Sequence, residues 1–66
     1  MNKKVKITCA VYYGGNSWQK DFEAEVDQQM IYKAQGSSTK QEVGDWIKQV
    51  YYSDAEKVVL YSMIEL

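Results

Sequence analysis

The sequence predicts an α+β domain of order ββααβ, a three-stranded, mainly antiparallel sheet with two helices packed on one face. Three observations carry this. Two period-two runs flank a Gly-Gly turn, two segments of helical periodicity follow, and the chain closes on a short run rich in β-branched and aromatic residues.

In the first run the apolar side chains fall at Val5, Ile7, Cys9, Val11 and Tyr13, and in the second at Trp18, Phe22, Ala24 and Val26, with Lys20 the exception. Alternation of period two turns one side of each strand toward a core. Between the runs, Gly14-Gly15-Asn16-Ser17 can supply the positive φ values of a tight hairpin. Two registers satisfy the outward charges. With Tyr13 opposite Trp18, Lys6 meets Glu25 and Lys4 meets Asp27, whereas a turn centred on Gly14-Gly15 pairs Lys6 with Glu23 and Lys4 with Glu25. Both set opposite charges across the strands.

Asp27 is placed to cap a helix from Gln28 to Gln35, with Met30, Ile31 and Ala34 on its apolar side and Gly36 at its end. Ser38 with Gln41, or Thr39 with Glu42, fits a capping box for a second helix from about Thr39 to Tyr52. On that helix Val43, Trp46, Ile47 and Val50 form the inward stripe, with Trp46 the expected anchor, Tyr51 at the edge and Tyr52 pointing the opposite way. Gly44 within it costs about 1 kcal/mol relative to alanine, which suggests close packing or a tolerated weakness.

Lys57 to Glu65 reads as the third strand, and there simple alternation fails. Val58, Leu60 and Ile64 share one face while Val59, Tyr61 and Met63 share the other, and a strand apolar on both sides is usually covered on both. A right-handed crossover from the second strand to the last puts the first strand in the middle; the alternative sets the last strand beside the second.

Composition narrows the function. The 66 residues read as one domain, with eight lysines against nine acids for a net charge of −1. Histidine and arginine are absent from the sequence, so the commonest general base, the commonest zinc ligand and the bidentate phosphate fork are missing. The expectation is no enzyme, no cofactor and no metal. One cysteine cannot close an internal disulfide, no run approaches the ~20 apolar residues of a membrane span, and Met1-Asn2-Lys3-Lys4 leads into alternation rather than the apolar run of a signal peptide, so the expected location is cytoplasmic and no membrane partner is expected.

Three motifs invite chemistry, and each has a simpler reading. Cys9 falls on the inward phase near Phe22 or Lys20 and reads as a buried structural thiol. Asp21, Glu23 and Glu25 alternate at roughly 6.5 to 7 Å along one strand face, a spacing that suits a carboxylate pair or a loose divalent-metal site, but on an exposed hairpin facing lysines and a threonine they read as a solvated, charge-paired row. Gly36-Ser37-Ser38-Thr39-Lys40 has the elements of an anion site at a helix start, yet lacks phosphate-loop spacing and reads as a cap.

Nine aromatics remain the most unusual feature. Trp18, Phe22 and Trp46 are assigned to the core; Tyr12, Tyr52 and Tyr61 point away from it. With the first strand central, Tyr12, Val59, Tyr61 and Met63 gather on the uncovered face, and with Tyr52 they are the candidate partner-binding residues. The function expected is a small non-enzymatic protein-binding module acting by stoichiometric association with another protein or a second copy. A regulatory subunit or an inhibitor fits, including the short inhibitors carried by phages and mobile elements. The alternative is a single-stranded nucleic-acid-binding domain using Tyr12 and Tyr61 with Lys4 and Lys6.

Overall fold

The computed structural model describes residues 2–66, which form β1 (Asn2–Tyr13), β2 (Asn16–Asp27), α1 (Gln28–Gln35), α2 (Lys40–Tyr51) and β3 (Lys57–Glu65). The order is ββααβ, and the sheet runs β2-β1-β3 with β1 central and antiparallel to both neighbours. The α+β architecture therefore agrees with the sequence, and of the two strand orders the sequence left open the structure has the one with the first strand central.

The hairpin closes on Gly14 and Gly15, both at positive φ (52° and 88°), where a side chain would be strained. That two-residue turn selects the second of the two registers: Tyr13 lies opposite Asn16, Lys6 opposite Glu23 and Lys4 opposite Glu25. Lys4 Nζ also reaches diagonally to Glu23 Oε1 at 3.2 Å. The turn is pinned to the segment before β3, since the Gly14 N–H donates to the Glu56 carboxylate at 2.9 Å and the Glu56 N–H to the Tyr12 carbonyl at 2.9 Å.

Asp27 caps α1 by accepting from the Met30 N–H at 2.9 Å. At the other end of the helix Gly36 is extended, so a left-handed cap is not its purpose. A Cβ there would stand 2.6 Å from the Thr39 hydroxyl, which crosses Gly36 to donate to the Lys33 carbonyl at 2.7 Å. Thr39 thus closes α1. It makes no side-chain cap on α2, and the capping box expected at Thr39 with Glu42 does not form.

Helix α2 packs over β3 and against α1. Val43 and Ile47 are fully buried, and Gly44 sits so close to β3 that a Cβ would meet the Val58 carbonyl oxygen at 2.7 Å. Close packing is therefore the reason for this glycine. Two expectations are corrected at the far end of the helix. Val50 is 57% exposed, and Trp46 is half-buried at the margin of the core, so Ile47 is the anchor. With Val43, Gly44 and Ile47 against the sheet, the inward line leans toward Tyr51, leaving Val50 to the outside.

The largest correction concerns β3. Opposite β1 its register is regular from Lys57 to Leu60, then shifts by one residue: Leu60 faces Cys9, Ser62 faces Thr8, and Tyr61 is the extra residue between them. This β-bulge inverts the alternation beyond it. Met63 comes to lie opposite Ile7 on the helix side, half-buried against the core, while Ile64 lies opposite Lys6 on the open side, 57% exposed.

The core is a single cluster of Val5, Ile7, Cys9 and Val11 from the central strand with Ala24, Val26, Ile31, Val43, Ile47, Ala55, Val58 and Leu60 around it. The folded chain exposes 4328 Å², in line with the roughly 4,300 Å² expected for a compact chain of this mass.

Candidate functional site

The face of the sheet turned away from the helices carries three unlike columns. On β2 stand Asp21, Glu23 and Glu25, facing Thr8, Lys6 and Lys4 of β1. Next along β1 come Ala10 and Tyr12. On β3 stand Lys57, Val59, Ser62 and Ile64, opposite Tyr12, Ala10, Thr8 and Lys6 respectively. Two lysines and a threonine thus face three carboxylates, with Lys4 paired to Glu23, and the β3 column is apolar apart from Ser62 and Lys57.

Of the five residues proposed for partner binding, three are brought together here. Tyr12 and Val59 are half-buried members of the open face, and Tyr61 lies at the bulge between Val59 and Ile64, 49% exposed. Met63 does not join them, because the bulge turns it to the core. Tyr52 does not either: it packs on the core from the helix side, edge-on to Phe22 at 6.2 Å between ring centres. The residue that sequence reasoning missed is Ile64, which replaces Met63 on the open face. Apolarity on both sides of β3 signalled that one of the two must be outside, but not which.

The bulge is held in a specific way. Lys40, the first residue of α2, donates from its ammonium group to the Tyr61 carbonyl at 3.1 Å. With Thr39 bonded to Lys33 and Lys40 bonded to Tyr61, the Thr39 hydroxyl and the Lys40 cation of the Gly36–Lys40 segment are engaged within the fold rather than aimed at an anion.

A second aromatic group lies on the helix side, at the margin of the helical layer. Trp18 keeps the inward phase expected of it, opposite Val11, yet the buried residues of β2 are Ala24 and Val26, near the end that enters α1, and Trp18 is 47% exposed. It packs edge-on to Tyr13 at 5.7 Å, while Phe22 meets Tyr51 at a tilt, 4.8 Å between ring centres, and Trp46 meets Tyr51 edge-on at 5.8 Å. These rings cover the flank of the core between β2 and the end of α2.

Titratable groups follow the same layout. Burial pushes the Cys9 thiol up, with the Asp21 carboxylate adding to the shift, which opposes the thiolate a nucleophile needs. Burial also raises the Tyr52 phenol, with Cys9 and Tyr13 as lesser causes, and it raises Tyr13, helped by the Asp54 carboxylate that accepts its hydroxyl hydrogen bond at 3.4 Å. The row Asp21, Glu23 and Glu25 is exposed, and among the described residues no group of three or more His, Cys, Asp or Glu is placed to hold a metal ion. Among those residues, no helix is long and apolar enough to cross a membrane.

Compared with protein-family models, with curated proteins and with solved structures, the chain matches none of them.

Proposed function

We propose that the chain is a non-enzymatic protein-binding module that acts by stoichiometric association, as a regulatory subunit or inhibitor, through the β3 side of its open sheet face. The observation that carries this reading is the exposure of Tyr61 and Ile64, 49% and 57%, beside half-buried Val59 and Tyr12 on a face no helix covers. Tyr61 and Ile64 each have about half of their burial still to gain, on the order of 1 kcal/mol apiece when a partner covers them.

The edges of the sheet favour recognition by the face over strand addition. β3 carries a bulge and β2 carries Lys20, Asp21, Glu23, Glu25 and Asp27, both devices that discourage edge pairing. On the same face Lys4 is committed to Glu23, and the acidic column stands beside Lys6, which weakens capture of a nucleic-acid backbone. The test is the double variant Tyr61→Glu/Ile64→Glu. It should keep its fold, since both side chains are exposed, and lose association with a partner protein or a second copy, read by light scattering and by co-purification. Undiminished association in a folded double variant would move the binding surface elsewhere.

A further inference from the structure

We infer that the end of β3 has a second register, in which the Tyr61 bulge is expelled, Ile64 turns inward and Met63 turns outward, and that Lys40 is the latch holding the observed one. From Lys57 to Leu60 the two registers are the same. Beyond Leu60, continuing the regular ladder would pair the now unpaired Tyr61 with Thr8 and would set Ser62 against Ile7, Ile64 against Val5 and Glu65 against Lys4, the last three each one residue from the observed partner.

The two arrangements are closely balanced for reasons visible in the chain. A strand apolar on both faces specifies its register weakly, and β3 is an edge strand paired on one side only. The observed register places Met63 over Ile7, leaves Ile64 in solvent and interrupts the ladder at Tyr61. The alternative places Ile64 over Val5 and restores the ladder, but sets the Ser62 hydroxyl against buried Ile7. Glu65 finds a lysine either way: Lys3 at 3.5 Å in the observed register, and Lys4 across the strand in the other.

Against that balance, the bulged residue itself is held by a side chain of α2, through Lys40 Nζ to the Tyr61 carbonyl. Shifting the ladder would draw this carbonyl back toward β1. The consequence reaches the open face, because the exposed apolar residue there would change from Ile64 to Met63, and with it the shape offered to a partner.

Relaxation-dispersion and saturation-transfer NMR on the intact chain test this without any partner, since shifts of register fall on the microsecond-to-millisecond scale. Exchange is expected at residues 61 to 66 and at Val5, Lys6, Ile7 and Thr8, with residues 57 to 60 quiet. Lys40→Met should raise the minor population at least threefold. Ile64→Lys, which is harmless in solvent but places a charge in the core of the second register, should abolish the exchange. Flat profiles in both the native chain and Lys40→Met overturn the inference, as does exchange that survives Ile64→Lys or a minor state whose Ile64 methyl has unfolded-chain shifts, either of which identifies fraying.

Discussion

Replacing Gly44 by alanine should destabilise the protein even though alanine is the better helix former by about 1 kcal/mol. The reason is the contact with β3. A Cβ at position 44 would stand 2.7 Å from the Val58 carbonyl oxygen and 3.6 Å from its carbon, whereas carbon and carbonyl oxygen ordinarily approach to about 3.3 Å. Neither atom belongs to a side chain that can rotate away, so α2 must retreat by roughly 0.6 Å and loosen Val43 and Ile47, both fully buried. Overpacking of this kind costs about 2 to 3 kcal/mol, and subtracting the helix gain leaves about 1 to 2 kcal/mol. For a domain of this size that lowers Tm by roughly 4 to 16 °C. Thermal and urea unfolding followed by circular dichroism, with exposed Gln49→Ala as the control on the same helix, measure it. A Gly44→Ala protein as stable as the native one, or more so, would refute the close approach of α2 to β3.

Ile47→Ala should cost about 2 to 5 kcal/mol and Val50→Ala less than about 0.5, because the first is fully buried and the second 57% exposed; urea midpoints give the order, and the reverse order restores Val50 to the core. Cys9 should react with a thiol reagent in the native protein only at the rate of opening and rapidly in denaturant, since it is fully buried; fast native labelling would reverse the phase of β1. Asp27→Ala should remove about 1 kcal/mol by freeing the Met30 N–H, and an unchanged Tm would show the cap to be idle. The raised Cys9, Tyr52 and Tyr13 groups make stability fall on the alkaline side. Their folded values lie above the unfolded ones, so the unfolded chain loses protons first; the contribution is complete below about pH 8.5 for the thiol and 10 for the phenols, and declines as pH rises through the raised values. Urea midpoints at pH 7 and pH 10.5 test this, and Cys9→Ala should flatten the first part of the decline.

The parts of the fold legible in the sequence are those set by local chemistry. Alternation in the first two strands, the Gly-Gly turn and the Asp27 cap act between near neighbours in the chain, the facing of Lys4 and Lys6 by glutamates follows once that turn sets the hairpin register, and each holds in the structure. What escaped the sequence depends on contacts between distant segments. The bulge at Tyr61 arises from how β3 meets β1 and α2, so the exchange of Met63 for Ile64 on the open face could not be read from a strand apolar on both sides. Trp18 had the expected phase, but its exposure depends on how far the helices extend across the sheet. Tyr52 ends α2 and turns back onto the core, where helical geometry no longer predicts its direction. Thr39 was read as the start of α2, yet its hydroxyl serves the end of α1 across Gly36.

The central claim is that the β3 side of the open sheet face meets another protein. A photo-crosslinking phenylalanine analogue at Ile64, 57% exposed on that face, tests it against the same analogue at Tyr32, 65% exposed on α1. Irradiated in the native host, the Ile64 protein should give one discrete adduct, to a partner or to a second copy, and the Tyr32 protein none. A discrete adduct from Tyr32 and none from Ile64 would contradict the claim.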